Sequence, residues 1–187
     1  MKKVTITLIL LCVAAFAQEK GTFTDSRDGK TYNTVKMGEQ TWMAQNLNYK
    51  LEKGGSWCYN DNEARCDKYG RLYDWNGATK ACPSGWHLPS NEDWNKLSTY
   101  VDGNNMTYIL MNKKFPNFSI LLGGGGSDNS SYDSNASATF GGMGGSGGWW
   151  TATEGYDKKK AKYRSDNIGS STDFDKFYLS GVRCVQD

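Results

Sequence analysis

Four cysteines, Cys58, Cys66, Cys82 and Cys184, constrain this 187-residue chain more than any other feature. A fifth, Cys12, lies in an apolar N-terminal run. An even number of cysteines in an oxidising compartment reads as a disulfide frame, and four allow three pairings. Cys58 and Cys66 flank the polar run YNDNEAR and can close a short loop. Cys82 and Cys184 then tie mid-chain to the C-terminal segment. On the loop-entropy argument the short crosslink contributes about 2.5 kcal/mol and the long one about 4.7. Zinc would need CxxC pairs or histidine partners, and neither occurs.

The N-terminus supports the oxidising assignment. Lys2 and Lys3 precede VTITLILLCVAAFA, an apolar run short for a membrane span and closed by small residues. It predicts a signal peptide over 1–17, cleaved after Ala17, and a single domain over 18–187. A lipid-attachment cysteine needs a small residue before it, and Leu11 precedes Cys12. The mature chain is therefore expected to be exported by a bacterium, to the periplasm, cell surface or medium, with no membrane span.

Cleavage also balances the charge. The whole chain carries 22 basic and 20 acidic side chains, and removing Lys2 and Lys3 leaves the two counts equal. A neutral chain has no electrostatic reason to bind nucleic acid or anionic lipid. The basic run DKKKAK (157–162) reads as a solvated loop.

Periodicity places the elements. Asp28-Gly29 is a two-residue hairpin signal, KTYNTVKM alternates, and a second turn falls at Gly38-Glu39. GRLYDWNGATKAC (70–82) repeats Leu72, Trp75, Ala78 or Thr79, and Cys82 at three- and four-residue steps, which predicts a helix. A second helix is expected after Ser90, an N-cap backed by Asp93 three residues on, with Trp94, Leu97 and Val101 as its apolar stripe. Residues 118–148 are dominated by Gly, Ser, Asn and Asp. They predict irregular chain with one short strand at 118–122. Strand-like composition returns in WWTATE, KKAKYRSDNI and KFYLSGVRCVQD.

Few motifs carry chemistry. GMGGSG (142–147) satisfies GxGxxG, but it lacks the preceding strand and following helix of a dinucleotide site. His87, the chain's one histidine, sits between Trp86 and Leu88 in a helix-entry corner and reads as structural. Among acidic residues, Glu154, Asp157, Asp166, Asp173 and Asp175 could supply a carboxylate pair for glycoside hydrolysis. No metal or cofactor is expected. Calcium is the cation that the hard oxygens of DNE (61–63), SDNSSYD (127–133) and SDN (165–167) would suit, although no EF-hand loop is present.

The aromatics say more. Seven Trp and eleven Tyr exceed the needs of one modest core. Adjacent Trp149 and Trp150 point to opposite faces of a strand. One can enter the core; the other must cover another element or face a binding surface. Tyr132, Asp133, Trp149, Glu154, Tyr163, Arg164 and Asp166 could build a sugar-binding face, with rings to stack on sugars and polar groups for their hydroxyls.

In order, FTDSRDGKTYNTVKMGEQTWMAQNLNY, SWCYND, YGRLYDW, CPSGWHLPSNEDWNKL, WWTATE and GVRCVQD resemble the Fibrobacter succinogenes major paralogous domain, over about residues 22–187. HLPSNEDW also resembles a helix start of formylglycine-generating-enzyme-like domains. The resemblance implies an α+β, C-type-lectin-like fold. Such a fold has two helices, a small twisted and mostly antiparallel sheet, a long irregular loop region, and a bridge from the first helix to the last strand that matches Cys82–Cys184. The histidine cluster of iron-dependent relatives, the free copper-binding cysteines of the oxidases and the lectin motifs EPN and WND are absent. The expected function is an exported, non-catalytic module binding a polysaccharide or a cell-surface protein through residues 119–148 and the strands near 149–166. The alternative is an enzyme, either a carboxylate-driven glycan hydrolase or a metal-dependent relative of the oxidases.

Overall fold

A computed structural model describes residues 19–101, 118, 120–129, 137–166 and 171–187. These residues form an α+β structure with three helices and two main sheets.

The first sheet has five strands in the order β1 (Lys20–Thr24), β2 (Thr31–Met37), β3 (Gln40–Met43), β13 (Val185–Gln186) and β6 (Trp86–His87), all antiparallel. Gly38-Glu39 forms the expected tight turn, with Met37 opposite Gln40 and Gly38 at φ +64°. The β1–β2 connection is longer than the expected two-residue turn. It spans six residues because Asp25 closes it, donating its N–H to the Lys30 carbonyl and accepting from Gly29 N.

Helix α1 (Glu63–Tyr69) occupies the segment expected to be a polar turn; Asn62 caps it by accepting from Ala64 N–H. Helix α2 (Trp75–Ala81) is shorter than the expected 70–82. Leu72 and Tyr73 form strand β5 instead, pairing β4 (Ser56–Trp57) on one side and β12 (Tyr178–Gly181) on the other. The apolar spacing that suggested a helix is shared by a buried strand followed by a helix, and Asp74 divides them as the N-cap. Helix α3 (Asn91–Tyr100) starts as expected. Ser90 and Asp93 make a reciprocal capping box, with Trp94 and Leu97 fully buried. Three helices therefore replace the two expected.

The second sheet is larger than expected. Its path runs β11 (Ser171–Asp175), β10 (Lys160–Ser165), β9 (Gly148–Glu154), β12, β5, β4; β7 (Gly125–Ser127) and β8 (Thr139–Gly141) branch from β12. Strand structure thus reaches into the glycine-rich segment at β7 and β8. Phe118 and 120–122, where a strand was expected, form none.

Trp149 and Trp150 divide the core. Trp149 packs in a cluster with Trp42, Trp94, Leu97 and Val185, and Trp150 in a second with Tyr73, Ala78, Trp86 and Val182. Both β9 faces are buried, so neither indole is free for a ligand. Cys58–Cys66 and Cys82–Cys184 are both joined, the second closing 102 residues and linking the end of α2 to the chain just before β13. No helix among the described residues is long and apolar enough to cross a membrane.

Candidate ligand-binding groove

Besides β5, strand β12 pairs with two strands through successive residues. Tyr178 and Leu179 pair antiparallel with Ser127 and Gly126 of β7, while Gly181 pairs in parallel with Trp149 of β9. The sheet therefore forks, one arm carrying β7–β8 and the other β9–β10–β11. A single bridge, Gly124 with Gly147, ties the arms near the branch.

A groove of about 450 Å³ lies in this fork, within the range of small-ligand sites. One wall is aromatic. Tyr163 of β10 and Phe174 of β11 stand 4.7 Å apart centroid to centroid, and Tyr178 meets Phe174 edge-on at 5.2 Å. Tyr178 is 37% exposed. The opposite wall is glycine strand, Gly124–Ser127 and Thr139–Gly141, with Phe140 packed on Tyr59 at 5.3 Å.

The glycines are required by close approach. A Cβ on Gly126 would lie 2.2 Å from the Thr139 carbonyl oxygen, and one on Gly148 would overlap the Tyr163 hydroxyl. Burial pushes the Tyr163 hydroxyl up to about 12, and it bonds Ser180, whose Oγ donates to the Gly148 carbonyl at 2.7 Å. Tyr163 thus presents its ring to the groove while its hydroxyl anchors the fork.

Residues 35–186 match the Fibrobacter succinogenes major domain family. The chain belongs to this family. No curated protein and no solved structure matches the chain.

In this family member, the expected site residues part company. Of those among the described residues, Tyr163 alone lines the groove. Trp149 is 2% exposed and its indole N–H donates to Asn46 Oδ1 at 2.8 Å. Arg164 is buried on the other face of β10, where it donates to the carbonyl and side chain of Asn91 and to Asn95. Neither can stack on or clamp a sugar, because strand alternation turns both inward. Exposed Glu154 is paired with Lys176 Nζ at 2.7 Å, which holds its carboxyl below the ordinary value. The Asp166 N–H donates to the Gly147 carbonyl beyond β10. Tyr132 and Asp133 lie outside the described residues. Phe140, Phe174 and Tyr178 were missed. The aromatic-dense run DFDKFY (173–178) signals Phe174 and Tyr178, while Phe140 lies outside it.

Beyond the groove, Phe177 stacks on Tyr178 at 5.1 Å and forms a ridge. Across it lies a cavity of about 560 Å³ lined by Asp74, Asp128, Asp175, Lys159 and Lys176. Burial pushes the Asp74 carboxyl up, but its Oδ1 also accepts the Gly77 N–H at 2.5 Å as the cap of α2. Of the earlier acid candidates only Asp175 is here. Asp173 is bonded to Lys162 at 2.7 Å, and Asp157 holds the turn at Lys159 N.

His87 is 45% exposed in its side chain, with Nδ1 2.6 Å from Asp187 Oδ1 and Nε2 3.6 Å from Asp93 Oδ2. It bridges the start of α3 to the C-terminal strand. Among the described residues, the metal-ligating side chains that converge are Cys58, Glu63 and Cys66. Their geometry suits no ion: the two sulfurs are joined to each other, and Glu63 is held by Arg71 Nη2 at 2.6 Å.

Proposed function

We propose that the chain is an exported, non-catalytic module that binds glycans in the forked-sheet groove, on a C-type-lectin-like frame. The observation that carries this reading is the pairing of an aromatic wall, Tyr163, Phe174 and Tyr178, with a glycine wall across one groove. Flat rings suit the C–H faces of sugars, and the Ser127, Thr139 and Ser146 side chains in the lining suit their hydroxyls. The two crosslinks fit an oxidising compartment, and the leader supplies the route. The link from α2 to the last strand supports the lectin-like frame. The reading assigns no resident cofactor, so a chelator should leave binding unchanged. A glycan array with the mature protein, repeated with Tyr178→Ala, tests it. Binding that the variant loses supports the module; binding that the variant keeps, or none to any glycan, contradicts it.

A second reading has one observation behind it. The Asp74, Asp128 and Asp175 cavity gathers acids, and burial pushes the Asp74 carboxyl up, the direction that the acid of a glycoside-hydrolysing pair needs. The capping bond from Gly77 to Asp74 favours a structural role instead. Release of reducing ends from polysaccharide, abolished in Asp175→Asn, would establish the hydrolase.

A further inference from the structure

We infer that the groove selects uncharged glycans over uronates, sulfated sugars and charged peptides. This rests on the binding-module reading and adds to it the charge class of the ligand.

Among the described residues, the groove lining carries no Asp, Glu, Lys, Arg or His. Its polar side chains are those of Ser127, Thr139, Ser146, Tyr163 and Tyr178, all hydroxyls. Charge is not scarce nearby. Past the Phe177–Tyr178 ridge, three carboxylates and two ammonium groups collect in the next cavity. Among the described residues, the ridge separates a charged lining from an uncharged one.

The energetic consequence follows from desolvation. A carboxylate or sulfate entering a groove of rings and glycine backbone gives up hydration and gains no cation in exchange. A neutral sugar has only hydroxyls and C–H faces to satisfy. The lining hydroxyls match the first, and the Phe174 and Tyr178 rings cover the second. Selection arises because the wrong ligand is left with an unpaired charge.

Gly141 offers a clean way to test this location. A Cβ built there meets nothing within 4 Å, and its backbone is not in the left-handed region. A side chain at Gly141, which lines the groove, therefore starts into open space.

The test is calorimetric titration of the whole mature chain with neutral gluco-, xylo-, manno- and galacto-oligosaccharides, oligogalacturonate and a sulfated heparin oligosaccharide. The expected result is binding of at least one neutral series, with the charged sugars weaker by about tenfold or more. Raising ionic strength from about 0.05 to about 0.5 M should change the neutral affinity less than about twofold, because no ion pair is screened. Gly141→Leu should abolish the neutral binding while the melting temperature holds, and Gly141→Lys should shift preference toward oligogalacturonate. Tighter binding of a charged sugar, or steep salt dependence, overturns the neutral-ligand inference and leaves the glycan reading standing. Unaltered binding by a folded Gly141→Leu overturns the groove as the site. No binding by any sugar overturns both.

Discussion

Phe174 covers Tyr163 across the β10–β11 pair, their ring centroids 4.7 Å apart and their planes inclined by 32°. The two are diagonal neighbours, since Tyr163 faces Thr172 and Ala161 faces Phe174 in the register. This contact makes the aromatic wall one surface, continued by Tyr178. Phe174→Ala should cost about 2 kcal/mol, less than a fully buried Phe, because the ring is only partly buried. Urea unfolding reads the stability change. Glycan titration of the folded variant should show the wall broken, with affinity reduced by about tenfold.

The two crosslinks should differ in worth. Replacing Cys82 and Cys184 by Ala releases a 102-residue closure, whereas replacing Cys58 and Cys66 releases one of 8. The loop-entropy argument puts the losses at about 4.7 and 2.5 kcal/mol. Denaturant midpoints of the two double variants should fall in that order. Equal losses would mean that the long closure adds nothing beyond the packing around it.

Trp149→Ala should behave as a core mutation. The indole is buried among Trp94, Leu97 and Val185, and its N–H shares the Asn46 Oδ1 acceptor with Arg183 Nη2, which donates at 2.7 Å. Burial pushes the Arg183 guanidinium down to about 9, so it remains charged at neutral pH and relies on such acceptors. A loss of about 3–5 kcal/mol is expected in urea unfolding. Glycan affinity of the fraction that stays folded should match the parent.

Most of the frame was legible. The Cys58–Cys66 closure, the Gly38-Glu39 turn and the Ser90 capping box rest on local chemistry, Cys82–Cys184 is the pair left once the short loop closes, and each is present. Leu72 and Tyr73 misled because three- and four-residue spacing does not distinguish a helix from a buried strand with a helix after it. The candidate groove was legible only as a region. The glycine-rich segment and the strands after it do form the groove, but which aromatics face it depends on the fork at β12. That fork is a pairing between segments far apart in the chain. Trp149 and Arg164, chosen for composition, went to the core because their strand positions turn inward.

Acid should destabilise the fold through Asp25 and Asp93. Burial raises both carboxyls, but hydrogen bonds from Arg27 to Asp25 and from Ser90 to Asp93 outweigh it and hold both below the ordinary value. Their contribution is fully present above the unfolded value of about 4 and is lost as pH falls through the lower folded values. Asp74 runs the other way. Its folded value is raised, so its charged form weakens the fold at neutral pH and the penalty lifts as pH falls. Asp74→Asn keeps an acceptor for Gly77 N–H and should be at least as stable as the parent at pH 7. Asp74→Ala should lose about 1 kcal/mol with the cap. Melting temperatures between about pH 7 and pH 2 read all three effects, and Asp25→Asn should flatten the acid limb.

Backbone amide shifts during titration with a neutral oligosaccharide test the central claim most directly. Binding in the fork should move Gly125, Gly126, Ser127, Phe140, Gly141, Tyr178 and Leu179, and leave Asn76, Asp128 and Asp175 in the charged cavity unmoved. Shifts confined to the charged cavity, or none at saturating sugar, would contradict it.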